Sequence, residues 1–333
     1  MKFGPVSLSR AEGAILAHSL AVEGRRIRKG RVLDAADIAR LAAAGHGEVM
    51  VARLEPGDVH EDAAAETIAR ALVPDPAGAG LRLAPAHAGR VNIHSEVTGV
   101  AEVFASRVHA LNAVEPMITL ATVAPFARLA PGGMVATVKI ISYAVSGESL
   151  RRAARAGAGA LRMRPVVFSR ATLVSTTLGG PPDEKGHRAV LGRLEPLGIA
   201  CDIRTVAHDE AAIAAVLAAA EGEMILILTA SATSDPHDVA PQAVRRAGGR
   251  VTRFGLPVDP GNLLFLGELA GRPVIGLPGC VRSPALNGAD WVLERISCGL
   301  RPDNDALAAM GVGGLLKDSP ARGFPREPGR RGG

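Results

Sequence analysis

The sequence predicts an α/β protein with a C-terminal doubly wound, mostly parallel sheet, preceded by an N-terminal α/β segment and a β-rich region. After residue 165, apolar runs alternate with helix-like runs, which is typical of a parallel sheet with right-handed crossovers. Met224–Leu228 is wholly apolar, as expected of a strand buried on both faces. Between residues 81 and 142 the pattern changes to short apolar runs separated by Gly and Pro, which indicates antiparallel strands.

These patterns divide the chain into segments with different expected structures. We expect an α/β segment over residues 1–77, a β-rich domain over 78–147 and an α/β domain over 165–300. Near the start, Ser7 or Ser9 is placed to cap a short helix that would run through Ile15 and Leu16. Residues 317–333 hold five basic and two acidic residues, so this tail is predicted to be disordered and carries +3 of the net charge of +5.

Composition excludes several classes of protein. Aromatic residues make up only 3% of the chain, which argues against stacking of nucleic-acid bases. The sequence has no apolar run long enough to span a bilayer and no secretory signal at its start, so we expect a cytoplasmic protein without a membrane partner. The three cysteines lack the spacing of a metal site.

In the C-terminal half, each predicted strand is followed by a predicted helix. We expect strands at residues 171–176, 201–206, 224–228 and 251–254, and helices at 184–197, 210–220 and 239–247. Residues 263–266 and 273–275 are typical of a hairpin, and a closing helix is expected over 285–296.

The stretch from Thr229 to Asp238 is the main candidate for a binding site. It is a run of small residues between the apolar strand and the next helix, where Asp238 is placed to cap the helix and Pro241 lies in its first turn. Ligands of open α/β sheets lie outside the carboxyl ends of the strands, and a helix N-terminus favours an anion. A small-residue turn that binds nothing is the equally balanced alternative.

Two motifs in this half resemble the molybdopterin-binding family, which includes molybdopterin adenylyltransferases and molybdenum insertases. Asp238-Val239-Ala240-Pro241 matches the Asp and Pro that follow the adenylyltransferase phosphate loop. Gly276-Leu277-Pro278-Gly279 matches the start of the insertase Gly-Leu-Pro-Gly-Asn-Pro motif, with Cys280 in place of Asn. The chain is most similar to the bacterial molybdopterin-binding region that precedes a molybdenum cofactor cytidylyltransferase domain.

The resemblance implies that the α/β domain has the molybdopterin-binding fold and that its cofactor is molybdopterin, with Mg²⁺ and a nucleotide as further candidates. It assigns Asp235 and Asp238 as catalytic residues and metal ligands. Lys185 would pair with the phosphate as a point charge. The remaining residues assigned to the cofactor are Thr176, Thr177, Thr229, Ala230, Ser231, Ala232, Thr233, Ser234, Pro278, Gly279, Cys280 and Ser283.

The sequence also departs from the family. The glycines of the phosphate loop are replaced by Ala230-Ser231-Ala232-Thr233, whose Cβ atoms hinder close approach of a phosphate. Three functions stay open. The first is binding of molybdopterin in a carrier or transferase step, like an adenylyltransferase or molybdenumtransferase. The second is a non-catalytic scaffold for a cytidylyltransferase, and the third is a nucleotide pyrophosphatase of the same fold. A nucleotidyltransferase or molybdoenzyme partner and a homo-oligomer are expected by analogy.

Overall fold

The computed structural model of the chain describes residues 1–22 and 24–316, so the predicted basic tail lies outside the described residues. The chain divides into two compact units, the first ending at Arg164 and the second beginning at Pro165. The boundaries predicted at residues 77 and 147 stay predictions.

The first part of unit one is a small layer of short strands around one helix. Its elements are β1 (Lys2–Ser7), β2 (Ile15–Leu16), β3 (Leu20–Val22), β4 (Arg25–Ile27), α1 (Ala35–Ala43) and β5 (Glu48–Arg53). Strand β5 pairs antiparallel with β1 on one side and with β2 on the other. Asp34 caps α1 in a reciprocal capping box with Asp37, which fixes where the helix begins.

The rest of unit one is rich in short antiparallel strands. Its elements are β6 (Asp58–His60), α2 (Glu61–Leu72), β7 (Leu81–Leu83), β8 (Arg90–Ser95), β9 (Gly99–Val103), α3 (Ala105–Asn112), β10 (Ile118–Thr122), β11 (Arg128–Leu129), β12 (Met134–Ile140), β13 (Ala144–Ser146), α4 (Gly147–Ala156) and β14 (Leu161–Pro165). The strands form a sheet in the order β10-β12-β8-β7 and another in the order β11-β9-β14. Both contribute to one apolar core with α2.

Unit two alternates strands and helices. Its elements are β15 (Arg170–Thr177), α5 (Glu184–Leu194), β16 (Ala200–Ala207), α6 (Glu210–Ala219), β17 (Met224–Leu228), α7 (Val239–Arg246), β18 (Arg250–Phe254), β19 (Phe265–Leu269), β20 (Arg272–Leu277), α8 (Gly288–Ser297) and α9 (Asn304–Ala308). The strands form one six-stranded sheet in the order β16-β15-β17-β20-β19-β18.

The sheet of unit two is mixed and mostly parallel. Strands β16, β15, β17 and β20 run parallel, whereas β19 runs antiparallel to both of its neighbours. Alternate side chains of β17 enter two different cores. Leu226 and Leu228 pack with residues of α5 and α8, whereas Ile225 and Ile227 pack with residues of α6 and α7. Helices therefore cover both faces of β17, which explains why its sequence is uniformly apolar.

Most of the predicted elements are confirmed. The strand at Met224–Leu228 and the hairpin of β19 and β20 lie where the sequence places them. One expectation was wrong, because residues 11–18 do not form a helix. A short 3-10 turn at Leu8–Arg10 ends before Gly13, whose φ of 75° is unsuited to a helix, and Ile15 and Leu16 pair with β5.

Among the described residues, no helix combines the length and the apolar character needed to cross a bilayer.

Candidate functional site

Three parallel strands of unit two end at one edge of the sheet. β15 ends at Thr177, β17 at Leu228 and β20 at Leu277, and the registers of their pairing place these ends side by side. The segments that follow them carry most of the polar residues that the sequence singled out. This edge is where an open α/β sheet binds its ligands.

Thr176 holds the start of the central loop. Its Oγ1 accepts a hydrogen bond from the backbone N–H of Ala230 at 2.7 Å and lies 3.0 Å from Nδ1 of His208. Thr176 is 4% exposed, so its hydroxyl is directed into the protein. Thr176 therefore connects the loop after β17 to the end of β15. The N–H of Ala230 already donates to Thr176 and is not available to a ligand.

The other threonines at this edge are also engaged within the protein. Thr229 and Thr233 are buried, and their hydroxyl oxygens lie 3.3 Å apart. Thr177 donates from Oγ1 to the carbonyl of Gly180 at 2.8 Å. The loop therefore presents fewer unoccupied hydroxyls than the sequence suggested. Four of its predicted ligand residues lie exposed, namely Ala230, Ser231, Ala232 and Ser234.

Asp235 and Asp238 stabilise the same loop. Asp238 accepts from the N–H of Val239 at 2.7 Å and from that of Ser234 at 3.1 Å, which confirms its predicted role as the cap of α7. Asp235 accepts from the N–H of His237 at 2.7 Å. Across residues 1–22 and 24–316, no group of three or more His, Cys, Asp and Glu could hold a metal ion. Both aspartates use carboxylate oxygens to accept backbone hydrogen bonds, and their metal role stays a prediction.

A cavity of about 270 Å³ lies beside this loop, between the start of α5 and the segment that follows β20. Its walls bring together four residues that the sequence assigned to the cofactor, Lys185, Gly279, Cys280 and Ser283. Pro260, Arg282 and Ala285 complete the lining. Lys185 is exposed, and its ammonium group has no ion pair with any described residue. Four of the residues that the sequence assigned to the cofactor therefore lie together at this cavity. Pro278, directly after β20, is buried and does not line the cavity.

Arg282, in the segment after β20, connects that segment to the start of α5 and to the loop after β17. Its Nε donates to Asp183 at 2.6 Å and a terminal nitrogen donates to the carbonyl of Thr229 at 2.8 Å. Asp183 in turn accepts from the N–H of Gly186 and caps α5. Partial burial opposes ionisation of Asp183, but the Gly186 N–H and the Arg282 guanidinium outweigh it and hold the pKa of this carboxyl below its usual value.

The Asp183–Arg282 pair makes stability depend on pH. Because the pKa of Asp183 is lowered in the folded state, the pair stabilises the fold above the ordinary carboxyl pKa of about 3.9 and loses this effect as the pH falls through the lowered value. We expect Asp183→Asn to destabilise the protein by about 1–2 kcal/mol at pH 7 and by progressively less at lower pH. Urea unfolding between pH 7 and pH 3 measures this difference.

Glu184→Gln is the matched control for this experiment. Glu184 is the next residue along and forms only an exposed ion pair with Arg188, at 3.5 Å. An Asp183→Asn effect that is constant over the whole pH range, or no larger than that of the control, would contradict the role of the pair.

A largely buried arginine on α5 holds the segment after β20 in position. Arg193 donates to Asp290 at 2.5 Å and to the carbonyls of Val281, Ser283 and Ala285 at 2.8–3.2 Å. Its side chain is only 10% exposed. The wall of the cavity formed by residues 281–285 is therefore held in place through its own backbone.

Sequence reasoning missed Asp183, Arg193 and Arg282. Asp183 and Arg193 each contact residues about 90–100 positions away along the chain, and no periodic pattern marks such contacts. A signal was available for Arg282, since it follows the Gly-Leu-Pro-Gly motif by three residues. Asp183 follows two prolines directly before a predicted helix, which is a typical cap position.

The fold and the site together define an α/β protein with a cationic cavity at the carboxyl edge of a mostly parallel sheet. Such a cavity can hold an anionic group, because Lys185 and Arg282 supply positive charge and Ser283 a hydroxyl.

Comparison with known proteins gives limited matches. A family described as a domain of unknown function, DUF8806, matches residues 5–53. No curated protein matches the sequence. Among solved structures, the molybdopterin biosynthesis MoeA protein from Pyrococcus horikosii is similar with 14% identity, over 93% of this chain and 77% of that one. Its TM-score is 0.32, so nothing about function is transferred from it.

Proposed function

We propose that the protein binds molybdopterin at the cavity beside α5 and acts in the biosynthesis or maturation of the molybdenum cofactor. The observation that carries the proposal is the position of Lys185, Arg282 and Ser283 around one cavity. The cavity is formed partly by the residues after Gly276-Leu277-Pro278-Gly279, the segment that resembles the insertase motif.

The chemistry of the lining suits the phosphate of the pterin. Lys185 offers a compact charge, and Arg282 offers a guanidinium that Asp183 and the Thr229 carbonyl hold in position. Pockets that enclose a whole ligand usually measure about 300–1,000 Å³. A cavity of about 270 Å³ therefore suits the phosphate and the atoms next to it rather than the whole pterin.

The arrangement favours binding over group transfer. Asp235 and Asp238, the carboxylates that a transferase would use for its metal, accept backbone hydrogen bonds that shape the loop. The glycines of a phosphate loop are replaced by Ala and Ser. We therefore propose that the chain presents the cofactor to a separate enzyme, such as a nucleotidyltransferase or a molybdoenzyme.

Removing the free cation is the direct test. We expect Lys185→Gln to weaken the binding of molybdopterin by about 10- to 100-fold, because a hydrogen bond to a charged group is worth about 1.5–3 kcal/mol. Molybdopterin released from a denatured molybdoenzyme is titrated anaerobically against the full chain, and its pterin fluorescence reports binding.

Arg188→Gln serves as the control, since it removes a positive charge from the exposed face of the same helix, where Arg188 pairs only with Glu184. Equal affinities for both variants and the unmodified protein, or no binding at all, would overturn the proposal. ATP-dependent adenylylation of the bound pterin would show that the protein is a transferase and does not only present the cofactor. Hydrolysis of ADP-ribose without pterin binding would replace the whole proposal with a pyrophosphatase.

A further inference from the structure

A group of arginines lies on the outer face of the small sheet β11-β9-β14 in unit one. Arg162 and Arg164 are two residues apart on β14, so their side chains leave the same face of the strand. The Nε atoms of both donate to one oxygen of Glu102 on the neighbouring strand β9, Arg164 at 2.7 Å. One carboxylate thus holds two guanidinium groups next to each other.

A third arginine contacts the same aromatic ring as Arg162. The guanidinium carbon of Arg107 lies 5.0 Å from the centre of the Phe104 ring, and that of Arg162 lies 5.5 Å from the same centre. Arg107 also donates from one terminal nitrogen to the carbonyls of Ala158 and Gly159 at 2.8 and 3.0 Å. The ring and the carbonyls hold Arg107 in place without neutralising its charge.

The group carries more positive charge than its single carboxylate balances. Arg107, Arg162 and Arg164 contribute three charges against one from Glu102, which leaves +2. Partial burial opposes ionisation of Glu102, but its bonds from Arg162 and Arg164 prevail and keep the pKa of its carboxyl below the usual value.

Donors remain available on the two arginines of β14. Each guanidinium has five N–H groups, and the bonds to Glu102 use only those on Nε. No described residue accepts a hydrogen bond from the terminal nitrogens of Arg162 or Arg164. Their side chains are 42% and 37% exposed, so a molecule from solution can reach these nitrogens.

We propose that Arg107, Arg162 and Arg164 form a binding site for a phosphate dianion, either free phosphate or the phosphate group of a small organic ester. A dianion balances the remaining +2, whereas a single carboxylate does not. A planar guanidinium group pairs with phosphate oxygens through two parallel hydrogen bonds. The guanidinium groups of this site are already held in position by the protein, which lowers the entropy cost of binding. The site lies in unit one and does not depend on the function proposed for unit two.

The test measures phosphate binding at these side chains themselves. Inorganic phosphate and glycerol 3-phosphate are titrated in parallel into the ¹⁵N-labelled full chain at low salt, and NMR follows the Nε–Hε signals of Arg107, Arg162 and Arg164. We expect these signals to shift with millimolar affinity, and the ligand that binds more tightly identifies the source of the phosphate. Arg162→Gln and Arg164→Gln are each expected to weaken binding at the remaining arginines by about 10-fold or more.

Arg82→Gln is the matched control, since Arg82 forms an ion pair with Glu96 at 2.9 Å elsewhere in unit one and its loss changes the net charge equally. Lys185→Gln should leave the signals of this site unchanged, which separates the result from the test of molybdopterin binding. Failure of both ligands to shift the three signals would overturn the proposal. So would equal weakening by Arg82→Gln, which would indicate a general effect of charge. The titration of the unmodified protein shows whether phosphate binds at the three arginines, even if a variant does not fold.

Discussion

Replacing Arg193 by methionine is expected to destabilise unit two by about 3–5 kcal/mol, because it leaves the buried carboxylate of Asp290 without its partner. The carbonyls of Val281, Ser283 and Ala285 lose their donor in the same step. For a unit of this size the loss corresponds to a fall of about 6–20 °C in Tm. Differential scanning calorimetry of the full chain measures it.

Arg188→Met is the control, because Arg188 lies on the same helix and makes only an exposed ion pair. Arg193→Lys should have an intermediate effect, since lysine keeps the charge but lacks the planar set of five N–H donors that reaches Asp290 and the carbonyls together. A Tm for Arg193→Met within about 2 °C of the control would contradict the importance of this contact. If the variant folds, its affinity for molybdopterin should also fall, because residues 281–285 form a wall of the cavity.

A second large effect is expected at Gly276, near the end of β20. Gly276 pairs opposite Phe265 on β19, and a Cβ added there would overlap the atoms of the Phe265 ring. Phe265 is 1% exposed, so its ring is enclosed by other residues of the core. We expect Gly276→Ala to cost about 3 kcal/mol, at the upper end of the usual range for overpacking. Chemical denaturation measures the free energy of unfolding.

Gly192 provides the opposite case for comparison. It lies within α5, and a Cβ added there meets no atom within 4 Å. Gly192→Ala should therefore stabilise the protein by up to about 1 kcal/mol. The double variant Gly276→Ala/Phe265→Leu should recover part of the loss if the ring is the cause. Equal effects of the two glycine substitutions would contradict this explanation.

The sequence predicted most of the fold of unit two because its signals there are local. Met224–Leu228 is apolar at every position since both of its faces are covered, and Asp238 lies where a helix cap belongs. In unit one, β1 and α3 were not predicted. Strand β1 has an exposed or half-exposed residue at every position, so it lacks the alternation that reveals a strand.

The site was predictable in part. Lys185, Gly279, Cys280 and Ser283 were named from a helix start and a motif, and the structure brings them to one cavity. The threonines of the loop were named for their hydroxyls, which the structure engages in internal hydrogen bonds. Residue type shows which groups are able to bind an anion, but only tertiary structure shows which of them already have partners.

The position of Arg282 implies thermodynamic linkage within the sheet edge. This side chain bonds the cap of α5 and the carbonyl of Thr229, and it also lines the cavity. An anion that takes a hydrogen bond from Arg282 shares the guanidinium with Asp183 and the Thr229 carbonyl. Binding of an anion in the cavity and the conformation of the segment after β17 must therefore influence each other. Because this coupling is reciprocal, a partner protein that binds the segment would change the affinity of the cavity for the anion.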